Sequence, residues 1–205
     1  MNSLAKKILL ATAVLPLVGC ATSSALQHND QAGTGVLVIP KSMISDAGVG
    51  AAIVYVEELE LTALENAKNT KPVVLYRREG QQFQFVNGLK PGKYAISGIR
   101  TKTIDASYAV NNHAEALQQL DIPFEIEPNV MTVLPISFDV NREKVAVGYW
   151  KTHVSINPVD DNSKVKMEAV IAKTGNSDQW NLNWSTGLTG LHGGYTSNSS
   201  AIRNR

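Results

Sequence analysis

Between Gln82 and Ile99 the chain alternates between polar and apolar residues, and this stretch limits the possible folds more than any other. Gln82-Phe83-Gln84-Phe85-Val86 has the period of two expected of a strand with one dry and one wet face. Asn87-Gly88 and Pro91-Gly92 follow, two pairs of strong turn formers. Tyr94-Ala95-Ile96-Ser97-Gly98-Ile99 then resumes the alternation, with Tyr94, Ile96 and Gly98 on one side and Ala95, Ser97 and Ile99 on the other. The stretch predicts two half-buried strands joined through turns.

Other segments extend the pattern. Val36-Leu37-Val38-Ile39 is a short apolar run closed by Pro40, a first strand. Ile53-Val54-Tyr55-Val56 and Val73-Val74-Leu75-Tyr76 are β-branched strands, and the residues from Leu59 to Lys68 fit either a helical turn or a longer strand. Phe124-Glu125-Ile126-Glu127, Val130 to Phe138, Val145 to Trp150 and Val154 to Ile156 complete the set. Asn112 to Leu120 reads as a helix: Asn112 caps it, Glu115 stands three residues on, Leu117 and Leu120 share a face, and Pro123 ends it. Ser163 to Lys173 admits both helix and strand, with the acids before it placed to cap a helix. The expected fold is mainly β, an antiparallel β-sandwich over 36–184 with one or two short helices inserted, one of them near 112–121.

The segment FQFVNGLKPGKYAISGI resembles the strand–"L-PG-Y"–strand element of transthyretin-like (carboxypeptidase-regulatory-like) β-sandwich domains. The resemblance covers about 20 residues and implies that Leu89 plugs the core, Pro91-Gly92 turns the chain and Tyr94 caps the sandwich. It implies a fold and no activity.

The N-terminus carries a second pattern. Lys6-Lys7 precede the apolar run from Ile8 to Leu15, and Leu17-Val18-Gly19-Cys20 closes it. Charge, short apolar segment and small residues make a secretory signal. The run is too short to cross a bilayer, which needs about 20 apolar residues. Leu17-Val18-Gly19-Cys20 resembles the lipobox of bacterial lipoproteins. The resemblance implies cleavage before Cys20, two or three acyl chains on Cys20 and, since Ala21 rather than Asp follows, an outer-membrane destination. The organisation expected is a signal peptide over 1–19, a lipidated flexible tether over 20–35, the sandwich over 36–184 and a disordered tail over 185–205.

Charge excludes further classes. The chain holds 19 basic and 18 acidic residues, and loss of Lys6 and Lys7 with the signal leaves the basic count just below the acidic one. No basic run is present, so there is no footprint for nucleic acid and no polybasic patch for a membrane. Cys20 is the only cysteine, so no disulfide forms and the domain depends on its apolar core.

Catalytic motifs are missing. The sequence has no Gly-x-Ser-x-Gly, no His-Glu-x-x-His and no phosphate loop. Gly48-Val49-Gly50 lacks a third glycine, with Ile53 in its place, and leads into a strand instead of a helix. His28, His113, His153 and His192 stand singly, without metal-ligand spacing, and Asp139-Val140-Asn141-Arg142-Glu143 reads as a charged hairpin turn. No catalytic, cofactor or metal residues are expected. The expected function is a lipid-anchored, non-catalytic interaction or structural module of the cell envelope, meeting membrane lipid through Cys20 and a protein partner. The alternative is glycan or peptidoglycan binding on an aromatic face formed by Tyr149, Trp180 and Trp184.

Overall fold

The uninterrupted run Val36-Leu37-Val38-Ile39 lies in a strand with two dry faces. The structure is a computed structural model and describes residues 25–29, 33–45, 53–65, 70–76, 82–105, 113–114, 118–146, 149–186 and 197–199. In chain order the strands are β1 (Gly35–Ser45), β2 (Ile53–Ala63), β3 (Thr70–Tyr76), β4 (Phe83–Leu89), β5 (Gly92–Asp105), β6 (His113–Ala114), β7 (Gln118–Ile126), β8 (Val130–Val133), β9 (Ile136–Ala146) and β10 (Tyr149–Pro158). Helix α1 (Asp161–Ile171) follows, then β11 (Asn181–Trp184) and β12 (Ser197–Ser199).

They form a β-sandwich with a short helix. The first sheet has the order β11-β8-β1-β9-β10-β12, with β4 also on β1; the second runs β3-β2-β5-β6, with β7 also on β5. Pairing is antiparallel except that β1 runs parallel to β8 and β9, and β8 parallel to β11.

Side-chain alternation in β1 sorts the apolar residues into two layers. Leu37 and Ile39 point inward and meet Leu59, Leu61, Ile96, Ile122, Phe124 and Phe138 between the sheets. Val36 and Val38 point outward and meet Phe83, Phe85, Met131 and Val133, a second layer closed by Leu26, Ile171 and Trp180. A strand covered on both faces has no reason to alternate, which accounts for the continuous run. The same holds for β8, buried at every position from Val130 to Val133. It also holds for β4, where the polar Gln84 is 0% exposed and accepts from Lys41 Nζ at 3.3 Å. The expected wet face of β4 is therefore dry.

Asn87-Gly88 is not a turn. Gly35 pairs with Leu89 and Leu37 with Val86, so two residues of β4 face one of β1, and Gly88 takes φ 69° within this bulge. The turn is Lys90-Pro91, which carries the chain from the first sheet to the second. Leu89 lies in the inter-sheet layer. Tyr94 packs against that layer, stacks on Phe124 at 5.7 Å and donates its hydroxyl hydrogen to the Lys90 carbonyl at 2.8 Å.

The helix expected near 112–121 is replaced by strand. His113–Ala114 and Gln118–Ile126 both pair with β5. Leu120, Ile122, Phe124 and Ile126 share one side at a period of two, which outweighs the helical spacing of Leu117 and Leu120. Pro123 is tolerated because, among the described residues, β7 pairs with β5 alone and its other edge needs no N–H there. Asn112 and Glu115 lie outside the described residues. The segment Asp139–Glu143 is likewise strand within β9, not a hairpin turn.

Helix α1 forms where composition allowed it. Asp160 caps it, accepting from Ser163 N–H at 2.9 Å and Ser163 Oγ–H at 2.7 Å, and those bonds hold its carboxyl below the usual value. Ile171 is its one buried residue, Met167 packs partly, and Val165 is 65% exposed, so the helix is attached by a narrow edge.

Candidate functional site

Three places bring polar side chains together. The first is at the N-terminus of the described chain, where 20–35 reads from sequence as a flexible tether. Residues 25–29 instead lie docked as a strap across the outer layer. Leu26 is 4% exposed in that layer. Around it the backbone is clasped by side chains from distant elements. Asn87 accepts from Gln27 N–H at 3.2 Å and donates to the Ala25 carbonyl at 3.2 Å. Asn176 donates to the Leu26 carbonyl at 3.1 Å, and Trp180 Nε1–H to the Gln27 carbonyl at 3.3 Å. Gln179 Oε1 takes the Asn29 N–H at 3.1 Å and sits 3.0 Å from His28 Nδ1. Asn29 Nδ2 reaches Asn129 Oδ1 at 3.1 Å. Extended backbone next to a sheet face must satisfy its polar groups, and here amide side chains do so. Asn129 and Asn176 hold left-handed turns, φ 59° and 67°, that aim their amides at the strap.

The second place is a cleft of about 230 Å³ between β7 of the second sheet and β11 of the first. Lys93, Glu125, Glu127, Thr132, Asn183 and Trp184 line it. Thr132 Oγ–H donates to the Glu125 carbonyl at 3.1 Å, tying the sheets together at its floor. Trp184 is half-buried; its Nε1–H donates to Glu168 Oε1 at 2.7 Å, and Lys164 Nζ lies 5.8 Å from the ring centroid. Helix α1 thus orients this indole.

The third is a cross-strand knot. Asp139 Oδ1 accepts from Ser42 Oγ–H at 2.7 Å and Ser137 Oγ–H at 2.6 Å, and Oδ2 accepts from Asn157 Nδ2 at 2.7 Å. Neutral donors from three strands engage both carboxylate oxygens, so the knot stitches β1, β9 and β10 together.

Of the aromatics expected to form a ligand face, the two tryptophans differ in exposure. Trp180 is 8% exposed and belongs to the outer layer. Trp184 borders the cleft, and Tyr149 stands in β10, separated from β11 by β8, β1 and β9. The Tyr149 side chain and Cys20 lie outside the described residues. Among the described residues no group of three or more His, Cys, Asp or Glu could hold a metal ion, and no helix is long and apolar enough to cross a membrane.

Sequence reasoning missed the strap. Its signals were Leu26, a lone apolar residue in a polar stretch, and Asn129 and Asn176 in turns far along the chain. Only the fold brings these together.

No protein-family model, curated protein or solved structure matches the chain.

Proposed function

We propose that this β-sandwich is a lipid-anchored envelope lipoprotein, attached through Cys20, that acts as a non-catalytic interaction or structural module facing a protein partner. The observation that carries the reading is the position of Cys20. It ends a signal-like preamble and precedes the strap by only five residues, Cys20 to Ala25, so an anchor there would act on a rigid domain. The mostly neutral polar chemistry of the strap's clasp and of the Asp139 knot supports a scaffold role. Cys20→Ser is expected to move the protein from the membrane pellet to the soluble exported fraction. A variant that pellets like the wild type removes the anchor.

A second reading has one observation in its favour. Trp184, held by Glu168 beside the Asn183, Glu125 and Thr132 side chains, gives the cleft an aromatic wall and polar groups, the lining that sugar rings use. The volume suits one ring. Quenching of Trp184 fluorescence by peptidoglycan fragments, lost in Trp184→Ala, would establish it; unchanged emission removes it.

A further inference from the structure

We infer that the strap orients the domain on the bilayer, so that the end of the sandwich carrying the clasp rests against the lipid surface and the opposite end is held away from it. The inference rests on the reading of Cys20 as the lipidated residue.

Had residues 20–35 formed a free tether, the domain would sit at a root-mean-square distance of roughly 20 Å and tumble over every orientation. The strap removes that freedom. From Cys20 to Ala25 the covalent chain spans at most about 17 Å, even fully extended. The acylated residue therefore cannot stray far from Ala25, which is itself hydrogen-bonded through its carbonyl to Asn87.

The strap itself is firmly held. Its backbone is held by Asn87 of β4, by Asn176 after α1 and by Trp180 before β11, while Leu26 is buried between them. These contacts come from two separate places, β4 and the two ends of the Ser177–Gln179 turn, so the strap cannot pivot about one point.

Topology then identifies the end. Gly35 pairs with Leu89, Gly92 pairs with Ile126, and Asn129 N–H donates to the Thr34 carbonyl, all at the level of the clasp. β1 runs from there toward Ser45, and Ile44 pairs with Asn141 of β9. Nine residues of strand rise separate Gly35 from that pair, about 30 Å. The exposed charges at the clasp end are mixed, with Lys90, Lys93 and Lys173 against Glu127 and Asp178. Contact with lipid there follows from the short leash and needs no polybasic attraction.

Single-thiol labelling tests this, because a lipidated Cys20 leaves the mature chain without a free thiol. Gly175→Cys places a thiol beside the clasp, at an exposed turn where a Cβ meets nothing within 4 Å. Asn141→Cys places one at the exposed far end. Full-length protein extracted from membranes is compared in detergent and on phosphatidylcholine–phosphatidylglycerol vesicles, using a bulky polyethylene-glycol maleimide. Gly175→Cys is expected to react about tenfold more slowly on vesicles, given a leash of about 17 Å, while Asn141→Cys reacts equally in both. Adding Asn87→Ala with Asn176→Gly should abolish the slowing; the glycine keeps the left-handed turn and deletes the amide. Equal rates at both sites on vesicles overturn the inference, as does slowing that survives loss of the clasp. Labelling of the unsubstituted protein at Cys20 overturns it in a different way, by removing the anchor.

Discussion

The two apolar layers share the strands of the first sheet yet differ in how they are closed. Between the sheets, β2, β3, β5 and β7 supply regular rows of Leu, Ile, Val and Phe against Leu37, Ile39 and Phe138. Outside the first sheet the described residues form no third sheet. A strap of a few residues, one edge of α1 and the short turn at Ser177–Gln179 with Trp180 close the layer over Val36, Val38, Phe83 and Phe85. The inner layer is held by many long strand pairings, the outer one by a few side chains and amide hydrogen bonds. Local stability follows contact density, so the two should come apart under stress in a definite order.

The strongest test attacks the inner layer. Leu89 is buried where β4 leaves the first sheet. Leu89→Asp puts an unpaired carboxylate there, at a cost of several kcal/mol against a total stability of about 5–15 kcal/mol. The expected result is loss of the cooperative thermal transition and of the β-type far-ultraviolet spectrum at neutral pH. A folded variant would mean that the inner layer is open to water at that end.

A smaller effect is expected outside. Trp180→Ala removes an aromatic side chain, typically about 3–5 kcal/mol when fully buried, together with the hydrogen bond to the Gln27 carbonyl. Because that side chain touches only the outer layer, the expected outcome is selective. Amide exchange at Gln27 and Asn29 should accelerate strongly, while β2 and β5 keep their protection. Equal loss in both regions would show that the layers unfold as one unit.

The same contrast explains what could be read from sequence. Alternation in Phe124–Glu127 was legible because that strand has one solvent-facing side, whereas in Tyr94–Ile99 an irregularity between Ile96 and Gly98 breaks the expected period and puts both Ile96 and Ile99 in the inner layer. β1 was legible as a strand from its Val36–Ile39 run, although the run's meaning, burial on both faces, depends on what packs outside. Gln82–Val86 misled for that reason: Gln84 alternates with phenylalanines, yet it is buried against Lys41. The helix expected near 112–121 failed because a single Leu117–Leu120 spacing was set against the longer period of two that begins at Leu120. In the tail, Ser197–Ser199 pairs with Thr152–Val154 as β12, a backbone contact that needs no apolar signal. The strap is the hardest case, since its partners Asn87, Asn129, Asn176 and Gln179 lie far away in sequence and look like ordinary turn and surface residues.

The smallest predicted effect concerns the rim where the inner layer meets solvent. Tyr94 lies against Phe124 and gives its hydroxyl hydrogen to the Lys90 carbonyl. Partial burial, and then the charge of Glu65, push its phenol above the ordinary value of 10.0. The unfolded chain therefore releases this proton near pH 10, while the folded chain still holds it. The stabilisation due to Tyr94 is accordingly complete below about pH 10 and declines as pH rises from there through the folded value. Tyr94→Phe keeps the ring against Phe124 and loses the hydrogen bond, a change of about 0.5–1.5 kcal/mol at neutral pH. Denaturant midpoints of the two proteins should differ by a constant amount up to about pH 10 and converge above it. The other tyrosines titrate in both proteins, so the difference isolates position 94. A gap that stays constant well above pH 10 would mean that the phenol ionises equally in the folded and unfolded chains, and that the rim is as wet as the outside of the second sheet.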